Sequence, residues 1–383
     1  MSRTSRSGWV LGVLIVAVAL ALVAAIAVRE MRSGPAGELA PGETETLRAR
    51  VVQVLDEAVV LQGELEQPYQ RLLLRISSGS LTGHEVEVEH GQLGLTSEVS
   101  LFRAGDRVLV EHNRTPEGDH TFAVTDWVRT GPLLWLALLF VAATLLLSGR
   151  QGARSLAGMG VTLAVLVGFI VPQILAGRSP VGTAILGSLA MIGVSLYLVY
   201  GWQRKTHVAV AGLFLSLIIT GLLAAWFVSW ARLTGFGSEE AGFLQVAGAR
   251  VNLQGVLLAG ILIGTLGALD DVAINQSSAV FELSKANPGL GRGALFRHGM
   301  VIGRDHIAAM VNTLLLAYAG VALPMLLLLS IYTEPLGTTL NREIIAEEIV
   351  RTLVGSFGLL AGVPLTTLIA AFVARRPDMG KGL

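Results

Sequence analysis

The stretch "GTLGALDDVAINQSSAVFEL", Gly264–Leu283, joins one of the most apolar parts of the chain to two adjacent aspartates, Asp270 and Asp271. Asn275, Gln276, Ser278 and Glu282 follow in the same run. Placed on one helix, Gly260, Gly264, Gly267, Asp271, Asn275, Ser278 and Glu282 are spaced by four, three, four, four, three and four residues. That spacing puts all seven on a single stripe. The first half is a small-residue seam with a G-x-x-x-G, which permits close packing on a neighbouring helix. The second half is polar, so the helix is expected to dock through Gly260, Gly264 and Gly267 and present Asp271 and Asn275 to the same neighbour. Asp270 lies off the stripe.

Two readings of depth follow. Counted from Gln254 at 1.5 Å per residue, Asp270 lies about 24 Å into a hydrocarbon core of about 30 Å. Either the helix leaves the membrane there, or a polar site continues inside the bundle. A carboxylate held in the bilayer costs a few kcal/mol, roughly, unless it is paired or neutralised. A partner is visible in "GRDHIAAMVNTLLLAYAGVALPMLLLL": Asp305 and Asn312 are seven apart and share a face, and Arg304 stands beside them. An Arg304–Asp271 pair would offset the desolvation of both. His306 reads as an interfacial residue.

The surroundings fit a membrane. Of 383 residues 52% are hydrophobic and 15% charged, with a mean hydropathy of +0.65; a soluble domain carries about 25% charged residues. The chain has no cysteine, which excludes disulfides, thiolate metal sites and cysteine nucleophiles. Net charge is zero, so bulk charge does not advertise nucleic acid. Apolar runs predict about eight spans: Gly8–Val28, Pro132–Leu147, Ser155–Ala176, Val181–Tyr200, Val208–Trp230, Gln254 to Asp270 or beyond, Ile307–Tyr332 and Ile349–Ala374. Arg3 and Arg6 precede the first, whose apolar run exceeds the usual signal-peptide core; it is read as a retained anchor, with a cleaved signal as the alternative. Pro172, Pro324 and Pro364 interrupt three spans and can free carbonyls toward a cavity.

Lys and Arg alternate between short loops in a way that places both termini in the cytoplasm. Arg3, Arg6, Arg150, Arg154, Arg204, Lys205, Lys285, Arg292, Arg297, Arg304, Arg375, Arg376 and Lys381 gather on one side. The other short loops hold Arg178, Arg232, Arg250 and Arg342, with Arg351 at a helix edge. Residues 31–130 then fall outside. There, after the linker "MRSGPAGELAPGETET", the stretches "RARVVQVL", "RLLLRIS", "HEVEVEH", "DRVLVEHN" and "HTFAVTDWV" alternate as strands between turn residues. Five short strands suit a small β-barrel-like domain, with the OB barrel one candidate. It lacks a basic, aromatic face for nucleic acid and is read as a structural or protein-binding module. The organisation expected is an anchor over 1–30, a linker and extracytoplasmic β domain over 31–130, and a polytopic helical bundle over 131–383.

The stretches "GALDDVAINQSSAVFEL" and "IGRDHIAAMVNTLLLAYAGVALPMLLLL" resemble the YibE/F-like family of bacterial membrane proteins. "SGSLTGHEVEVEH" with "FRAGDRVLVEHN" is similar to the family's N-terminal region. The resemblance implies a multi-spanning membrane protein, of a family whose biochemical activity is not established and whose members are often described as permeases, and it assigns no catalytic residue.

Three functions compete. A permease would use Asp270, Asp271, Asn275, Glu282, Arg304, Asp305 and Asn312 between spans six and seven as a site for a cation or a proton-coupled solute. A non-transporting scaffold would bind a protein partner through the β domain and use the stripe to lock the bundle. An aspartyl protease using Asp271 and Asp305 is the third, but "GALDD" lacks the G-x-G-D of such enzymes and the two carboxylates would have to share a proton. No P-loop, H-E-x-x-H or G-x-S-x-G occurs in a fitting context.

Overall fold

The computed structural model describes residues 43–62, 65–91, 101–115, 119–248, 251–331 and 334–374. The expected anchor Gly8–Val28, the linker after it, and Arg250, Arg375, Arg376 and Lys381 lie outside the described residues. The chain divides into two compact units, one ending at Gly149 and the other starting at Arg150.

Every stretch with the two-residue period forms a strand: β1 Thr44–Gln62, β2 Leu65–Ile76, β3 Glu85–His90, β4 Arg107–Arg114 and β5 His120–Trp127. They form one antiparallel sheet in the order β3-β2-β1-β4-β5. Alternate residues enter the core, Leu47, Ala49 and Val51 from β1, Leu72, Leu74 and Ile76 from β2, and Val108 and Val110 from β4. Register shifts between Val51 and Gln53 and between Val54 and Asp56 mark bulges in the long β1, and bulges bend a strand. The sheet curls into a half-barrel whose edges are drawn together at Phe102, which lies edge-on to His90 of β3 and tilted against Trp127 of β5. Buried Gln70 fixes that phenylalanine: its Oε1 accepts from the Phe102 N–H (2.8 Å) and its Nε2 donates to the Phe102 carbonyl (3.1 Å).

The helices are α1 (the run Thr130–Leu175), α2 Pro180–Tyr200, α3 Arg204–Trp230, α4 Glu239–Val246, α5 Leu253–Ala286, α6 Arg292–Val321, α7 Leu323–Ile331, α8 Leu336–Leu340 and α9 Glu343–Ala374. Six of these, α1, α2, α3, α5, α6 and α9, are long and apolar enough to cross a membrane. The 46 residues of α1 would extend about 69 Å, over twice a bilayer core. At Gly149, however, φ 52 and ψ −126 break the helix, so two of the expected spans meet in this one run. With the first span outside the described residues, the predicted total of about eight is not reached among those described. Each proline leaves its mark. A π-turn at Leu166–Ile170 takes up the extra residue just before Pro172. Pro324 is the second residue of α7, just past the break from α6 at Ala322, and Pro364 lies within α9.

In the unit beginning at Arg150, α3, α5 and α9 pack on one another, α2 leans on α5, and α6 lies against α9 and α5. Leu213 and Leu217 of α3, Leu262, Leu266 and Leu269 of α5, and Leu359 and Val363 of α9 share a core. Many large apolar side chains remain outside, among them Leu222, Trp226, Leu316 and Phe372. An apolar surface of that extent belongs in lipid rather than water.

Candidate functional site

Close approach between α3 and α9 comes from small residues at every fourth position of both. Gly212, Ser216 and Thr220 of α3 meet Thr366, Gly362 and Gly358 of α9, each glycine opposite a hydroxyl. A Cβ on Gly212 would stand 2.2 Å from Thr366 Oγ1, and one on Gly358 2.3 Å from Thr220 Oγ1. Ser216 and Thr220 donate back to the carbonyls four residues earlier, at 2.7 and 2.8 Å, so these hydroxyls are satisfied without water. Thr265 of α5 joins them beside Gly355 and Gly358.

Toward the α5–α6 turn the polar character concentrates on Gln276, which is fully buried. Its Nε2 donates to the Gly299 carbonyl of α6 (2.8 Å) and to Thr367 Oγ1 of α9 (2.7 Å), joining three helices through one side chain. Gly299 and Gly303 make room: a Cβ on Gly303 would meet Val363 at 2.4 Å. Gln276 Oε1 is buried with no hydrogen-bond partner, as are Asp270 Oδ1, His306 Nδ1 and Thr366 Oγ1. Helix α5 runs unbroken past Asp270, with Val272, Ala273, Ile274, Gln276 and Ser277 buried beyond it.

The glycine–aspartate stripe lies on the other side of α5. Gly260, Gly264, Gly267, Asp271, Asn275 and Glu282 are all exposed, and Ser278 is half-buried. A Cβ on Gly260 or Gly267 would meet nothing within 4 Å; at Gly264 it would reach Tyr318 Oη of α6 at 3.0 Å. The tight docking expected of this seam is therefore found at Gly264, while the packed face of α5 is the one carrying Leu262, Thr265, Leu269 and Gln276. The physical reason is apolar content: the buried face offers large side chains to fill a core, and the stripe does not.

Arg304, Asp305 and Asn312 of α6 are exposed as well. Gly303 is buried. At about 100° per residue Asp305 and Asn312 point roughly opposite it. No ion pair joins Arg304 to Asp271 among the described residues; Glu282 pairs with Lys285 at 2.7 Å. Asp271 lies about 22 Å along α5 from Ala286, and Asp305 about 20 Å along α6 from Arg292. They share a height on the antiparallel pair without meeting.

A second polar assembly, absent from the sequence reading, sits where α3 gives way to α4. Glu343 of α9 accepts from the Thr234 N–H, from the Thr234 hydroxyl (2.7 Å) and from the Gly235 N–H (3.0 Å). Glu347 accepts from the Gly237 N–H at 3.1 Å. Gly235 is required there: its φ is +88, and a Cβ would lie 2.4 Å from the Leu253 backbone. Beside it Thr234, Phe236, Gln245, Asn252 and Gln254 line a cavity of about 450 Å3.

The long apolar helices, the π-turn at Pro172 and the α5–α6 pair are carried by a stretch that the sequence model of YibE/F-like proteins matches over residues 136–376, well over half of the chain. The protein belongs to the YibE/F-like family. The matched stretch holds all the candidate residues on α5 and α6 of this YibE/F-like chain, and the strands β1–β5 lie outside it. Comparison with curated proteins and with solved structures found no match.

Proposed function

We propose that this YibE/F-like protein is a permease of the bacterial plasma membrane rather than an enzyme, with about eight spans and both termini cytoplasmic. A polar site on α5 and α6 would admit a small cation or a proton-coupled solute. One observation carries the reading: Asp270 keeps a buried carboxylate oxygen without a hydrogen-bond partner, next to Asp271, in a helix long and apolar enough to span. Carboxyl groups retained within spans at such cost are commonly seats for protons or cations. Asn275, Arg304, Asp305 and Asn312 stand at comparable height and would supply further polar contacts; Glu282, tied to Lys285, would lie at the mouth.

The β unit gives the second reading. Its β1 pairs with both β2 and β4, and its edges approach at Phe102, as in an OB-like barrel opened along one seam. A scaffold would use that unit to hold a protein partner. Proteoliposomes separate the two. The permease reading expects Asp270→Asn and Asp271→Asn each to cut proton or monovalent-cation flux at least tenfold, while a variant lacking residues 43–128 retains flux. Unchanged flux in both aspartate variants, in folded protein, would overturn it.

A further inference from the structure

Of the six spanning helices, α6 has the lowest hydropathy (1.2), yet only 11% of its apolar window is buried. Its packed side holds Leu295, Gly299, Gly303 and Leu314, with Met300, Ile307, Met310 and Tyr318 partly buried against the core. Its outward side carries Arg304, Asp305, Ala308, Ala309, Asn312 and Thr313, with Val301 before them and Leu315 and Leu316 after them on the same side, all exposed. Over 304–313 small and polar residues at three- and four-residue spacing give this side the composition of a helix–helix contact. A guanidinium, a carboxylate and an amide turned to hydrocarbon would each cost several kcal/mol, roughly.

We propose that a second copy of this chain covers the outward face of α6. Two copies inserted in the same sense are related by a twofold axis along the membrane normal, so equivalent residues meet at equal depth. That condition suits this face. Arg304 of each copy lies one residue from the height of Asp305 of the other, giving two reciprocal ion pairs. Asn312 meets Asn312 of the second copy, and an amide, being both donor and acceptor, is self-complementary. Ala308 and Ala309 between them allow the helices to approach.

Charge decides against the occupants available within one chain. Gly8–Val28 and Pro132–Leu147 contain no charged residue and no amide side chain. Either would leave Arg304, Asp305 and Asn312 unpaired. The inference rests on the spanning reading of α6 and shares three residues with the proposed permease site, which it would place at the junction of two copies.

The chain has no cysteine, so single-cysteine variants of the full protein test the contact directly. In oxidised native membranes, Ala308→Cys and Asn312→Cys should each give a covalent dimer. Leu222→Cys, on the exposed side of α3, should give at least fivefold less. Arg304→Asp should lower the Ala308→Cys dimer yield about tenfold, and adding Asp305→Arg should restore it. No dimer at either position overturns the proposal. So does an intramolecular link from Asn312→Cys to Leu20→Cys or Leu139→Cys. Cross-linking does not read transport: a dimer without flux removes the permease and keeps the interface, and flux without a dimer does the reverse.

Discussion

Gln276 shows how much one side chain can decide in a helical bundle. Replaced by leucine, it leaves the Gly299 carbonyl and the Thr367 hydroxyl without their donor. We expect Gln276→Leu to lower unfolding stability in mild detergent by about 1–2 kcal/mol; an unchanged transition would mean the two bonds contribute nothing net. In the β unit, His112 sits in the inward row of β4, its Nε2 2.7 Å from Nδ1 of His120. Burial, then the neighbouring His120, hold its pKa below the ordinary histidine range; Arg114 acts in the same sense and Glu45 opposes it. The sign follows. Above about pH 6.5 neither folded nor unfolded His112 binds a proton. Below it the unfolded chain takes one up first, so stability falls with pH down toward the folded value. Amide protection in β4 and β5 of the full protein, taken relative to the intrinsic exchange rate at each pH, should fall between pH 6.5 and 5 and stay level between 7 and 8, and His112→Gln should flatten the acid limb. The polarity of the α5 stretch was legible in the sequence, and so was the stripe. Which side of that helix would be buried was not, because a seven-residue regularity of small and polar positions does not reveal where large neighbours will fill space. Gln276, one residue from the stripe, is the buried one.

Among elements, the strands were the clearest signal, since a two-residue period in "EVEVEH" or "RVLVEH" admits one reading. Among the described residues, six helices long and apolar enough to cross a membrane stand where apolar length placed spans, short of the eight expected. The break between two of the expected spans falls at Gly149, where a glycine adopts the angles other residues avoid. The contact of α3 with α9 was missed, although its pattern stands in the sequence as G-x-x-x-S-x-x-x-T at 212–220 and G-x-x-x-G-x-x-x-T at 358–366. A pattern of that kind gains meaning only in a pair, and pairing across about 140 residues is a tertiary fact. Glycine substitutions measure the difference between the two seams. Gly358→Leu would drive into Thr220 Oγ1 and should cost about 1–3 kcal/mol or prevent folding. Gly260→Ala, whose Cβ meets nothing, should stay within about 0.5 kcal/mol of the parent in a detergent melt. Equal losses at both positions would contradict the assignment of the packed faces.

For the whole molecule, the bundle is built from two kinds of polar surface with opposite fates. Hydroxyls and one amide are turned inward and fixed by carbonyls or glycine gaps; carboxylates, a guanidinium and the amides of Asn275 and Asn312 are turned outward on α5 and α6. The inner set holds helices together, and the outer set is where a solute or a second copy would be met. Removal of residues 43–128 should accordingly leave the thermal transition of the bundle within a few degrees of the parent; its collapse would show that the β unit is needed to hold the helices. The contact between α3 and α9 carries a further consequence. Its rungs recur every four residues on both helices, so a slide of one turn, about 5.4 Å, would set Gly362 opposite Thr220 and Thr366 opposite Ser216. Small side chains again oppose small side chains in that second position. Helices joined by bulky interlocking residues have one resting place; these two have the spacing of a ratchet.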